Sequence, residues 1–171
     1  DYKFTLIEEF VRRVESKKLT IFSMPILSNY RFILDAKKEL TRLQKLLIVQ
    51  IKDKISVDYS IIHNNPKLDH LIINEGNRFL ISIDNGIIGI PSLDIAKFYI
   101  ENEDINFDIY THIYNYFNEY EDEFYYDYFI FLVLLIYIKG LIIDSKGYIS
   151  TQSFIFTTNS INKFIKTFKL Q

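Results

Sequence analysis

The side chains best suited to chemistry lie in one polar loop and at an aspartate beyond it. The loop holds His63, Asn65, Asp69 and His70, and the aspartate is Asp84. Carboxylate, amide and imidazole groups at this density can bind a divalent cation with its phosphates and can orient an attacking hydroxyl. The pattern therefore predicts a phosphate-and-metal site.

Short apolar runs are expected to place these groups at strand ends. Residues 59–62 precede the loop, and residues 71–73 and 79–83 follow it as two further runs. The connection 74–77 contains glycine and asparagine, which is typical of a β-hairpin with a longer turn. The second of these strands is expected to end on Asp84, on the same side of the hairpin as the loop.

A helix is predicted directly after this segment. Gly89 and Pro91 interrupt the strand pattern, and Ser92 is a residue type that caps helices. Asp94 would then lie in the first helical turn, where the helix dipole favours an acid.

Residues 62–102 resemble the C-terminal lobe of the choline kinase and aminoglycoside phosphotransferase family, which has a protein-kinase-like fold. The shared order is His, loop, hairpin, Ile-Asp, Gly, Pro, Asp-Ile-Ala. The family's loop reads His-Gly-Asp-x-x-x-x-Asn, and its metal strand reads Ile-Asp-Trp/Phe followed by Gly-Asp-Pro-x-x-Asp-Leu-Ala. The resemblance implies that His63 and Asp94 brace the loop and that Asp84 binds the metal.

Two positions depart from the family's pattern. The catalytic-base aspartate falls on Asn65, and the metal-binding asparagine falls on His70. An amide cannot accept a proton at physiological pH, and imidazole suits zinc, copper, iron or nickel better than Mg²⁺. Asp69 is the other candidate for the catalytic carboxylate, and His70 remains a candidate cofactor and metal ligand beside Asp84. We therefore expect weakened or lost phosphotransfer.

The resemblance also implies ATP and Mg²⁺ as cofactors, held together with an N-terminal lobe. That lobe would carry a glycine-rich loop and a strand lysine. No strand-rich segment of this kind precedes residue 62, and the chain begins at Asp1. We expect this lobe or another protein partner to complete the site.

An acidic, aromatic segment is the candidate substrate site. Residues 98–138 contain nine acidic residues and no lysine or arginine. The family's choline or amino-sugar substrates are cationic, and aromatic faces and carboxylates hold such ligands. The candidate contacts are Tyr110, Tyr114, Tyr120, Tyr125 and Asp127. Core packing in an aromatic-rich chain is the alternative explanation of these tyrosines.

Helical periodicity dominates the rest of the chain. Helices are predicted over 4–16, over 26–55 as one or two helices after a break at Pro25, and over 106–120, 122–143 and 151–169. The apolar run at 128–138 has 11 residues, whereas a membrane span needs about 20. We expect one mostly helical α+β domain over residues 1–171, a kinase-like C-terminal lobe with a small hairpin beside its catalytic loop.

Composition excludes several other classes of protein. The formal net charge of −2 gives no basic stripe for nucleic acid. The absence of cysteine excludes disulfides and thiolate zinc sites and is compatible with the cytoplasm. Three functions remain: an ATP-dependent small-molecule phosphotransferase, a non-catalytic kinase-like binding domain, and an unrelated helical interaction module.

Overall fold

The fold is α+β and mostly helical, as predicted. A computed structural model describes residues 1–104, 108–119 and 122–170. The helices within these ranges are α1 (Tyr2–Glu15), α2 (Ser23–Lys52), α3 (Ser92–Glu101), α4 (Ile109–Asn118), α5 (Glu123–Gly140) and α6 (Thr151–Thr167). The strands are β1 (Ser60–Ile62), β2 (Leu71–Asn74), β3 (Asn77–Leu80) and β4 (Ile87–Gly89).

The chain divides into two compact units. The first comprises Asp1–Arg42 with Leu134–Gln171, and the second comprises Leu43–Val133. Helices α2 and α5 each contribute residues to both units. All four strands and the predicted site residues belong to the second unit.

The first unit is built on helices whose apolar spacing matches the helical repeat. Ile7, Phe10 and Val11 of α1 are buried at spacings of three and four residues, which forms one apolar face. The Phe10 ring packs against Phe154 of α6 at a centroid distance of 6.0 Å. The predicted break at Pro25 is wrong, because α2 begins at Ser23 and Pro25 lies in its first turn. Proline is tolerated there since the first N–H groups of a helix have no intrahelical partner.

The core of the second unit forms around the first part of α5. Phe129 is fully buried and contacts Phe117 of α4 at 5.3 Å and Tyr99 of α3 at 6.3 Å between ring centroids. The apolar run in α5 therefore serves as a buried core helix. No helix among the described residues is both long and apolar enough to span a bilayer.

The strand β4 was not predicted. It pairs antiparallel with β1, from Ser60 opposite Gly89 to Ile62 opposite Ile87. A Cβ at Gly89 would lie 2.7 Å from the Cδ1 atom of Ile62, so the glycine lets the buried isoleucine side chain lie against the backbone of β4.

The hairpin turn is shorter than the sequence analysis predicted. β2 and β3 pair from Leu71 opposite Leu80 to Asn74 opposite Asn77, so only two residues form the turn. Glu75 and Gly76 have φ values of 49° and 82°, the left-handed pair that a type I′ turn requires. The two asparagines therefore form the last pair of the ladder instead of belonging to the loop.

Two further predictions near Asp84 and Ser92 are wrong. β3 ends at Leu80, and Asp84 lies in a single turn of 3₁₀ helix, Ile83–Asn85. Ser92 is the first residue of α3 and makes no capping bond, because its buried hydroxyl donates to the carbonyl oxygen of Tyr125 at 2.8 Å.

Candidate functional site

A single carboxylate on α3 holds the start of the polar loop. The backbone N–H of His63 donates to Oδ2 of Asp94 at 2.6 Å, and the N–H of Asn64 donates to Oδ1 at 2.7 Å. Asp94 lies in the first turn of α3. Because both carboxylate oxygens are used, two successive amides are fixed in direction as the chain leaves β1.

A second side chain of α3 holds the same loop residue. Asn64 has a φ of 64°, in the left-handed region that asparagine tolerates better than most residues. The ammonium of Lys97 donates to the Asn64 carbonyl oxygen at 2.8 Å and also contacts its side-chain oxygen. Lys97 was missed in the sequence analysis, although its spacing of three from Asp94 places both on one face of a helix.

The two loop histidines stack on each other, and His63 links the loop to Ile81, the residue that follows β3. Their ring centroids are 5.3 Å apart with an interplanar angle of 24°. Nε2 of His63 lies 2.7 Å from the Ile81 carbonyl oxygen, and Nδ1 of His63 lies 3.3 Å from the Asn65 amide nitrogen. These partners select the neutral tautomer in which Nε2 donates and Nδ1 accepts. His63 therefore braces the loop with both ring nitrogens.

His70 makes a hydrogen bond within the loop through one ring nitrogen, and its other ring nitrogen makes no hydrogen bond to a described residue. Nδ1 lies 3.0 Å from the carbonyl oxygen of Asn65, so Nδ1 carries the proton and donates. Nε2 lies 3.9 Å from a carboxylate oxygen of Asp69, a side chain that is 78% exposed. The side-chain amide of Asn65 makes no hydrogen bond within the described parts of the chain.

Asp84 is connected to the loop through the segment that precedes it. The Ile81 N–H donates to the carbonyl oxygen of His70 at 2.9 Å, and the Ile81 carbonyl receives the His63 ring. The Asp84 carboxylate is exposed and makes no hydrogen bond to any described residue. The structure thus connects His63, His70 and Asp94 through hydrogen bonds and ring stacking. Asp84 lies three residues after Ile81, which belongs to this group.

Asp84 fits Mg²⁺ better than His70 does. In the described ranges, no group of three or more His, Asp or Glu residues gathers as a metal site. Mg²⁺ needs only one or two protein carboxylates when phosphates and water supply the remaining oxygens, and Asp84 offers such a carboxylate. His70 could offer Nε2, but a nitrogen ligand does not suit this ion.

A separate pocket lies in the acidic, aromatic segment. Helix α4 and the start of α5 enclose a cavity of about 440 Å³, which is within the usual range for small-molecule sites. Its lining consists of Tyr114, Phe117, Asn118, Asp122, Glu123, Tyr126 and Asp127. Among the described residues, the lining contains no lysine or arginine. The sequence analysis missed five of these residues, which follow the pattern of acids adjacent to aromatics.

The predicted substrate residues divide between this pocket and its surroundings. Tyr114 and Asp127 line it, and Tyr110 stacks on Tyr114 with ring centroids 6.0 Å apart. Tyr125 is buried instead, and its hydroxyl accepts the Asp58 N–H at 2.8 Å. Tyr120 lies outside the described residues.

The pocket combines carboxylates with the protonated phenol of Tyr126. Burial raises the pKa of Tyr126, and the nearby Tyr110, Asp127 and Tyr114 raise it further, so its hydroxyl remains a hydrogen-bond donor at neutral pH. The side chain of Gln50 donates from Nε2 to Oδ2 of Asp127 at 2.8 Å. A small cation would meet aromatic faces and carboxylates here.

Comparison with protein-family models, with curated proteins and with solved structures finds no match to this chain. The functional argument therefore rests on the geometry of the loop and of the pocket.

Proposed function

We propose that this chain is an ATP-dependent phosphotransferase-like protein of the choline kinase and aminoglycoside phosphotransferase type, with weakened or lost catalysis. Mg²⁺·ATP binds at Asp84 in this account, and a small cationic or hydroxyl-bearing molecule binds in the α4–α5 pocket. The observation that carries the proposal is the pair of bonds from Asp94 to the amides of His63 and Asn64. It is the contact expected of an aspartate that braces a catalytic loop.

The backbone of the loop gives further support. The family's loop has glycine after the histidine, and this position falls on Asn64. Its φ of 64° lies in the region that glycine enters at no steric cost. The position therefore has a backbone conformation that a glycine, the family's residue at this position, adopts without strain.

Catalysis is weakened in this account because the base is missing. Mg²⁺, when bound, would neutralise charge on the transferring phosphoryl group, and the Asp84 carboxylate would hold it. The Asn65 amide can orient an acceptor hydroxyl by hydrogen bonds but cannot take its proton. The loss of a general base costs roughly 10²–10⁴ in rate. Among the described residues, the Asp69 carboxylate makes no hydrogen bond to Asn65, and its side chain is largely exposed.

A partner surface beside the loop also supports the proposal. Ile61 of β1, Ile73 of β2 and Ile88 of β4 are 81%, 67% and 77% exposed. Contiguous exposed apolar patches mark interaction surfaces, and Ile61 and Ile88 lie opposite each other in one sheet. An N-terminal lobe or another protein would cover them.

A non-catalytic binding domain is the second candidate function, and the pocket favours it. The seven lining residues that the structure describes lie outside the loop and outside the segment of Asp84. Ligand binding there does not require the base that Asn65 lacks. The two candidates share the pocket and differ in whether nucleotide binds at Asp84.

Thermal melting of the full-length protein with and without Mg²⁺·ATP tests the proposal. A ligand at 100 times its Kd stabilises the fold by about 2.7 kcal/mol, which raises the midpoint measurably. We expect Mg²⁺·ATP to raise the melting midpoint of the unaltered protein and to leave that of Asp84→Ala unchanged. Asp53→Ala, which removes an exposed aspartate just after α2, should keep the increase. No increase at millimolar nucleotide would contradict nucleotide binding at Asp84 and would leave the two candidates that need no nucleotide.

A further inference from the structure

A lysine of the protein already sits against one wall of the pocket. Lys54 follows the end of α2, and its side chain is only 18% exposed. Its ammonium forms an ion pair with the carboxylate of Asp122. It also lies 5.0 Å from the ring centroid of Phe124 and 5.5 Å from that of Tyr125. A carboxylate and two aromatic faces thus surround an ammonium group beside the pocket.

This ion pair changes the charge that the pocket presents. Asp122, Glu123 and Asp127 supply three carboxylates to the lining. Lys54 neutralises the first of them from outside the lining. One donor to Asp127 is the side-chain amide of Gln50, which is neutral.

We propose that Lys54 is a built-in counter-ion that lowers the preference of the pocket for doubly charged over singly charged cations. The inference rests on the proposed function of the pocket as a cation site. Pairing with Lys54 withdraws Asp122 as a partner for a second positive charge on the ligand. Lys54 is therefore a specificity-determining residue that acts through Asp122.

Asp122 is held in place independently of Lys54. Its Oδ1 accepts the backbone N–H of Phe124 at 3.0 Å, while Lys54 contacts the other oxygen, Oδ2. Removal of the ammonium should therefore leave the carboxylate at the start of α5. This separation makes the charge effect measurable without loss of the pocket wall.

Calorimetric titration of the full chain with two probes tests the inference. The probes are tetramethylammonium, with one charge, and 1,4-diaminobutane, with two. The quantity compared is the ratio of the tetramethylammonium Kd to the diamine Kd. Relative to the unaltered protein, Lys54→Met should raise this ratio by about tenfold, within the usual range of coupling between sites. Lys54→Arg keeps the positive charge and should keep the original ratio.

Two more variants separate the ion pair from net charge and from folding. Lys52→Met removes the same charge from the exposed end of α2 and should leave the ratio unchanged. Asp122→Asn retains an oxygen for the Phe124 N–H and should shift the ratio against the diamine. If both probes bind and Lys54→Met leaves their ratio unchanged, the role of Lys54 is wrong while the pocket stands. If neither probe binds any variant, the pocket is not a cation site and the inference falls with it.

Discussion

At the scale of single residues, the loop is held by groups on one face of α3. Asp94 accepts hydrogen bonds from two backbone N–H groups, and Lys97 donates to the carbonyl oxygen of Asn64. His63 adds a third anchor from inside the loop, through its bond to Ile81. The backbone at Asn65 is therefore fixed, while its side-chain amide is available to a ligand.

Restoring the carboxylate at position 65 should restore catalysis if the loop is kinase-like. We expect Asn65→Asp to raise ATP hydrolysis by the full-length protein by about 10²-fold, the lower end of the usual general-base contribution. The reason is that a carboxylate can accept the proton of the attacking water, which the amide cannot. The measurement is the steady-state release of phosphate with Mg²⁺ present.

A matched change elsewhere controls for the added negative charge. Asn74→Asp makes the same substitution at the last pair of the hairpin and should not alter the rate. An unchanged rate in Asn65→Asp, with nucleotide bound, would show that the loop does not position an attacking group.

At the scale of elements, the N-cap residue Asp108 helps to fix where α4 begins. The Oδ1 atom of Asp108 accepts the N–H of Thr111 at 3.1 Å, and Ile113 and Phe117 are buried on the face of the helix below. Hydrogen bonds from the side chain and backbone of Thr111 hold the pKa of Asp108 below its ordinary value of 3.8. The charged carboxylate is thus the capping form.

The cap makes the stability of α4 depend on pH in a fixed direction. Because the pKa is lower in the folded state, the stabilisation is present above pH 3.8 and is lost as pH falls through the folded-state pKa. We expect amide exchange at Thr111, corrected for its intrinsic pH dependence, to accelerate as pH falls from about 4 to about 2, because the lowered pKa lies below 3.8. Asp108→Ala should show fast exchange already at neutral pH.

An uncharged cap provides the control for this experiment. Asp108→Asn keeps a side-chain oxygen as acceptor, so exchange corrected for its intrinsic pH dependence should be the same at both pH values. If exchange at Thr111 accelerates equally in Asp108→Asn and in the unaltered protein as the pH is lowered, another group controls the pH dependence of α4.

The elements differ in how far the sequence predicts them. The apolar repeat of Ile7, Phe10 and Val11 marks α1 because burial at that spacing has few other solutions. The two-residue turn was missed because Glu75 adopts a positive φ, which is uncommon for its type. β4 is three residues long and depends on pairing with β1 across 25 positions, a contact that local pattern does not contain.

The sequence predicted the site residues that belong to the motif. It did not predict the contacts that form between distant parts of the chain. The family resemblance implied that His63 and Asp94 both hold the loop, and the backbone N–H of His63 donates to the Asp94 carboxylate. The capping role assigned to Ser92 was wrong because its hydroxyl is taken by Tyr125, a contact 33 residues away. The pairing of Lys54 with Asp122 spans 68 residues and left no local signal.

At the scale of the whole molecule, the second unit carries both candidate ligand sites. The loop with Asp84 lies at residues 63–84, and the pocket lies at residues 114–127. The exposed isoleucines of β1, β2 and β4 belong to this same unit. A phosphotransferase-like account requires nucleotide to bind beside the loop and not merely somewhere on the protein.

Paramagnetic broadening by Mn²⁺·ATP tests that requirement most directly. Mn²⁺ takes the oxygen ligands that Mg²⁺ takes, and it broadens the resonances of nearby amides in a ¹⁵N-labelled full-length protein. We predict that the amides of Asn85, Gly86 and Asn65 broaden first and that Asp84→Ala removes the effect. Broadening centred elsewhere, or none at these amides, would contradict the assignment of a nucleotide site to Asp84.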